Sequence, residues 1–198
     1  MAAAIAASSS AHAGVIGYEL SINDPIFNSA SGDNNVPDLQ LENISDISTG
    51  AQISDFTLTI GDTDFAYDFV RMESVFADTG APLIATLNSP DTTNDNVGPD
   101  DVDYDFTGFD ATDIFRFEVD VDKDTGEFSQ DYRLVLFPDA LLTVSFSNGI
   151  VLSQTLNPSS ITESGYVFAQ TVDVSEPATL ALFGGFVLAG AALRRRVR

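Results

Sequence analysis

Between Asp120 and Asp131 the chain spaces its carboxylates as a hard cation would want them. Asp120, Asp122 and Asp124 occupy positions 1, 3 and 5 of a loop that contains Gly126, with Glu127 next and Asp131 at position 12. Oxygen ligands at alternate positions of a tight loop are how a chain wraps calcium. The pattern departs from the usual calcium loop in two places. Glycine stands at position 7 instead of 6, and Asp131 offers a shorter arm than the customary bidentate glutamate. The same residues also make a hairpin turn, in which Asp120 ends a strand, Lys123 offsets part of the charge and Thr125 and Gly126 form the bend. A second group, Asp100, Asp101, Asp103 and Asp105, puts three carboxylates on one face if the segment is extended. Like charges so placed raise one another's pKa or recruit a cation. They serve equally as a solvated face that keeps a sheet edge from pairing with another chain.

The rest of the chemical inventory removes most enzyme classes. His12 is the single histidine and there is no cysteine. A Ser-His-Asp triad, a Cys-His pair and a His or Cys zinc site are therefore unavailable to the body of the chain. No glycine-rich phosphate cradle occurs. Paired carboxylates remain for glycan hydrolysis or lysis. Glu118 and Asp120 share one strand face about 6.6 Å apart at ~3.3 Å per residue, but that face is expected to look at solvent, where neither pKa is raised enough to make a general acid. Tryptophan is absent, leaving Tyr18, Tyr67, Tyr104, Tyr132 and Tyr166 as substitutes for a sugar-stacking platform. A non-enzymatic protein is the expectation.

The elements that must carry these residues are strands. Apolar side chains recur at every second position in Phe56, Leu58 and Ile60, in Phe65, Tyr67 and Phe69, in Phe115, Phe117, Val119 and Val121, and in Leu142, Val144 and Phe146. That is the period of a half-buried sheet. Asn148-Gly149 predicts a type I′ hairpin between about Leu141 and Leu156. Further strands are predicted at Val15–Ile22, Leu39–Ile44, Val75–Ala77, Pro82–Leu87, Val102–Phe106, Tyr132–Phe137 and Tyr166–Asp173. Polar, turn-rich segments at Asp24–Pro37 and Ser89–Asp101 read as long loops. Many short strands between turns, with no 3.6-residue apolar period over three turns, predict an all-β fold. An antiparallel β-sandwich, jelly-roll-like, is the expected form.

Residues 14–173 contain 29 acidic and four basic residues, a formal charge of −25. Such a surface repels nucleic acid and anionic lipid, and attracts divalent cations or basic polymers. Without disulfides, core packing must supply the stability, with help from cations if they bind.

The two ends are of a different character. Residues 1–13 are rich in Ala and Ser and end in Ala11-His12-Ala13, a small-x-small cleavage pattern that would release Gly14 as the mature N-terminus. The segment reads as the back part of a signal peptide whose start lies upstream. At the other end, Ser175-Glu176-Pro177 precedes an uncharged apolar run, Ala178–Leu193, and then Arg194, Arg195, Arg196 and Arg198. As a helix the run spans ~24 Å, slightly short of a ~30 Å hydrocarbon core. The arginines would stop transfer and stay cytoplasmic, leaving the body outside.

This order, a Glu-Pro motif, an apolar helix and an Arg-rich end, resembles the PEP-CTERM sorting signal, with Ser175 in place of the first proline. The resemblance implies recognition by an exosortase in the inner membrane, removal of the tail, and release to the cell surface or an exopolysaccharide matrix. The stretch from Gly108 to Leu156 is also similar to bodies of uncharacterised PEP-CTERM proteins. The domains expected are thus a partial signal peptide (1–13), an acidic sandwich (14–173) and a sorting signal with a transmembrane helix (174–198). A structural or binding role follows, with calcium-dependent glycan or protein binding and carboxylate-based glycan cleavage as alternatives.

Overall fold

The computed structural model describes residues 14–23, 36–62, 64–77, 81–89, 100–123, 131–137, 139–159 and 165–174. Ten strands form: β1 (Gly14–Asn23), β2 (Asp38–Asn43), β3 (Ile53–Thr59), β4 (Phe65–Phe76), β5 (Ile84–Ser89), β6 (Asp101–Phe109), β7 (Ile114–Lys123), β8 (Leu141–Phe146), β9 (Val151–Thr155) and β10 (Gly165–Val174). They pair antiparallel in two five-stranded sheets, β10-β1-β2-β7-β4 and β5-β6-β3-β8-β9. The alternation read from the sequence decides which side faces in. Phe115, Phe117, Val119 and Val121 of β7 are buried, as are Phe56 and Leu58 of β3 and Leu142 and Val144 of β8.

The two inner faces meet through aromatic rings. Phe56 meets Phe117 edge-on at 5.4 Å, Tyr104 meets Phe115 at 4.8 Å, and Phe106 contacts Phe109 and Phe115 at 4.9 and 5.0 Å. Edge-to-face rings are worth about 0.5–1.5 kcal/mol beyond area burial, which suits a core with no cross-link.

The strand order is not that of an eight-stranded jelly roll. The segment β3 to β7 reproduces the central key of an immunoglobulin sandwich, with β3-β6-β5 in the place of strands B-E-D and β7-β4 in the place of F-C. The flanking places are filled from the opposite ends of the chain. β8 lies where strand A would be, and β2 where strand G would be.

Three local expectations are corrected. Tyr132–Phe137 is not a strand but a short helix, α1 (Tyr132–Leu136). Its buried residues Tyr132, Val135 and Leu136 follow the i, i+3, i+4 spacing of a helix face, and Asp131 caps it by accepting from the Arg133 N–H at 3.1 Å. The strands expected around Phe65 and Val75 are one strand, β4, whose register slips between Tyr67 and Phe69 and again between Met72 and Ser74. The β8–β9 hairpin is present, but its turn is not type I′. Only Gly149 adopts positive φ (86°); Gly149 N–H donates to Phe146 O at 2.9 Å and Phe146 N–H to Ile150 O at 2.8 Å. That is a three-residue loop closed by a left-handed glycine.

Candidate functional site: acidic clusters and a terminal signal

Asp120 projects from the outer face of β7, and Lys123 is that strand's last residue. The Asp122 side chain, Asp124 and Glu127 lie outside the described residues. Asp131 is described, and its carboxylate is engaged. Arg133 grips it through Nε to Oδ1 at 2.7 Å and a terminal nitrogen to Oδ2 at 2.6 Å. These bonds raise the Arg133 pKa above its ordinary value. A fork of this kind uses both oxygens of the residue at loop position 12.

The register brings together carboxylates that no linear pattern suggested. Asp38 of β2 lies opposite Glu118 of β7, and Glu118 lies opposite Arg71 of β4. One oxygen from each of Asp38, Glu73 and Glu118 falls within 4.8 Å of the others. Arg71 completes the group, 2.5 Å from Glu118 and 3.7 Å from Glu73. Burial and then the Glu73 charge push the Asp38 carboxyl up. Glu118 is also raised, by burial, by sharing a hydrogen bond with Glu73 and by its charge, against the opposing pull of Arg71. Glu118 thus lies on the outer face of β7, as expected, but is partly covered there by its neighbours, and its carboxyl is raised. The group can share a proton or balance a cation, although Arg71 already supplies one positive charge.

The row Asp101, Asp103 and Asp105 does share one face, on the outside of the second sheet. It does not guard an edge, because β6 runs between β5 and β3. Across the ladder Asp55 lies opposite Asp105 and accepts from Ser145 Oγ at 3.3 Å. Burial and Asp103 raise the Asp55 carboxyl, and burial with Asp103 and Asp100 raises that of Asp101. The spacing 101, 103, 105 revealed the row, but the fourth member needed the fold.

All five tyrosines offered as stacking platforms are core residues, each no more than 5 % exposed. Burial pushes the Tyr18 hydroxyl up to about 12, against the opposing effect of Gln154. Among the described residues, the exposed aromatic ring is Phe76 at the end of β4, with the Arg116 guanidinium 5.4 Å over it. Arg116 in turn donates to Gln40 Oε1 at 2.9 Å. Inside, Asp113 is the buried carboxylate among the described residues and accepts the Asp110 N–H at 3.0 Å, which fixes the β6–β7 turn.

Gly14 and Val174 pair directly across β1 and β10, so the expected cleavage point after Ala13 and the start of the C-terminal signal leave the sandwich side by side. Ala13 and residues 175–198, with the motif Ser175 to Pro177, the apolar run and the arginines, lie outside the described residues. No helix among the described residues is long and apolar enough to cross a membrane.

The geometry thus defines an acidic antiparallel sandwich whose last strand runs straight into a terminal signal. Residues 173–196 match the family described as the PEP-CTERM protein-sorting motif. The chain is accordingly a PEP-CTERM sorting-signal protein, exported and directed to an exosortase. No curated protein matches it. Among solved structures it is similar to an uncharacterised protein from Nocardia farcinica whose crystal structure reveals an immunoglobulin-like fold. The identity is 12 %, the TM-score 0.34, and the match covers 72 % of this chain and 90 % of that one.

Proposed function

We propose that the protein is held at the inner membrane through a helix over residues 178–193, is cut free by its exosortase, and then serves in the extracellular matrix as a non-catalytic structural or binding module. The observation that carries this reading is the sorting-motif match at 173–196, which begins where β10 ends. A body with 29 carboxylates and four cations supports a hydrated, repulsive surface suited to a polysaccharide gel. Core packing without cysteine supports survival outside the cell independent of redox state.

Processing tests the reading. In exosortase-bearing cells, the released protein should have lost Arg194 to Arg198 by mass, and Glu176→Ala with Pro177→Ala should hold the full-length chain in the membrane fraction. A wild-type chain that keeps its arginines and is found at the membrane regardless of exosortase would overturn it. Release should also follow the exopolysaccharide in matrix fractionation. A released form wholly soluble and free of polysaccharide would sink the matrix role while leaving the sorting intact.

A further inference from the structure

The ends of this sandwich differ in chemistry, and the chain leaves from only one of them. Ten antiparallel strands return both termini of the domain to the same end, where Gly14 faces Val174. Among the described residues, the connections at that end, 44–52, 77–83, 110–113 and 147–150, carry three acidic residues, Asp46, Asp110 and Asp113, the last of them buried, and the connections at the opposite end carry five, Asp62, Asp64, Asp100, Asp131 and Asp139.

Apolar exposure runs the other way. Of the nine large apolar side chains left exposed among the described residues, five stand at the end where the termini leave: Ile47, Val75, Phe76, Ile84 and Val151. Ile47 is the most exposed of all, at 78 %. It sits on a 3-10 turn, Ile47–Thr49, pinned beneath β1 by the bond from Val15 N–H to Asp46 Oδ2 at 2.8 Å. A hollow lined by Ile47, Gly50, Ala51 and Ala111, with Asp110 as its one charged member, lies on one side of the 110–113 turn, and one lined by Phe76, Ala77, Thr112 and Ile114, with Arg116 as its one charged member, on the other. An isoleucine held outward on a fixed turn, with an aromatic ring across the same turn, makes a paired apolar contact instead of scattered exposure.

We propose that this end of the sandwich docks on the lipid surface while the chain is tethered, with Ile47 and Phe76 entering the interfacial region on either side of the 110–113 turn. The inference rests on the tethered reading, and the length of the tether carries it. From Val174 to Ala178, where the apolar run starts, there are four Cα steps, at most ~14 Å of fully extended chain. The headgroup layer is itself about 5–7 Å deep on each side. With the run in the bilayer, the end of the domain that carries both termini is therefore kept within about 7–9 Å of the outer edge of the headgroups, and that end is the one with fewer charges. The acidic end is then held outward, where its repulsion of anionic lipid costs nothing.

The chain has no cysteine, so single labels can be placed on the full-length protein. An environment-sensitive fluorophore would be attached at Ile47→Cys, at Asp64→Cys on the opposite end, and at Val187→Cys in the apolar run. Each labelled chain would be reconstituted in phosphatidylcholine vesicles carrying a shallow spin-labelled lipid as quencher. The expected result is at least twofold stronger quenching at position 47 than at 64, with quenching also at 187. Quenching at 187 with position 47 no more quenched than 64 would overturn the docking surface alone, and would leave that end to a protein partner such as the exosortase. Quenching at neither 47 nor 187 would overturn the tether and the docking together. Quenching at 47 without 187 would uphold lipid docking and remove the tether.

Discussion

Arg71 reaches across from β4 to Glu118 on β7, 2.5 Å away, yet Glu118 still holds its proton more tightly than an ordinary glutamate because Glu73 and burial act against the pair. Glu73→Gln removes the like charge and keeps the shape. Arg71 is 57 % exposed, so solvent screens much of the pairing. The substitution should stabilise the protein at neutral pH by a few tenths to about 1 kcal/mol, read from the denaturant midpoint.

Raised carboxyls on both sheets set a pH slope. Asp38, Glu42, Asp55, Asp101 and Glu118 all have carboxyls raised in the fold, chiefly by burial. In the folded protein they give up protons later than in the unfolded chain. Their contribution is full below the unfolded range of ~4 and is lost as pH rises through their higher folded values. Melting temperature should therefore be higher near pH 4.5 than at pH 7.5, and the difference should shrink in Glu73→Gln. An equal or lower melting temperature near pH 4.5 would show that these carboxyls are not raised.

Asn43 is fully buried and joins three segments. Its amide donates to Ala51 O at 3.1 Å and Phe109 O at 2.9 Å, and its oxygen accepts from the Ser45 N–H at 3.1 Å. Asn43→Ala leaves two buried carbonyls and one N–H without partners and should cost about 2–4 kcal/mol at equilibrium. A loss below 0.5 kcal/mol, on the order of a surface change, would show that water replaces the amide.

The strands were legible wherever one face is buried and the other wet, as in β3, β7 and β8, because a period of two shows in the letters themselves. α1 was not. Tyr132, Val135 and Leu136 are too few to display a helical period, and the local capping by Asp131 decides the matter. The row Asp101, Asp103 and Asp105 could be read from spacing alone, whereas the Asp38, Glu73 and Glu118 group could not, since its members are joined only by strand register. The sorting signal was fully legible, being a linear motif that needs no fold to be recognised.

Asp131 separates two uses of one carboxylate. Held by Arg133, it anchors α1 and is unavailable to a cation bound at Asp120, Asp122 and Asp124. Any calcium-dependent rise in melting temperature should thus survive Asp131→Asn and vanish in Asp122→Asn or Asp124→Asn. Asp131→Asn itself should lower stability by about 1 kcal/mol, with calcium or with chelator, because the cap survives in Asn but the charged fork with Arg133 is lost. Loss of the calcium response in Asp131→Asn would mean that the fork opens when the cation arrives.

Gly149 closes the β8–β9 hairpin at φ 86°, with nothing within 4 Å of where a Cβ would stand. The cost of Gly149→Ala is then backbone strain alone, about 1–2 kcal/mol, with no steric clash added. Gly17 offers the contrast. Its Cβ would lie 2.6 Å from both the Gln170 carbonyl oxygen and the Thr171 methyl, at the ladder that brings the termini together. Gly17→Ala must push β10 away from β1, so it should destabilise more than Gly149→Ala and expose the 171–174 amides to hydrogen exchange first. Exchange that spreads evenly over all ten strands in Gly17→Ala would show instead that β10 does not open separately from the sandwich.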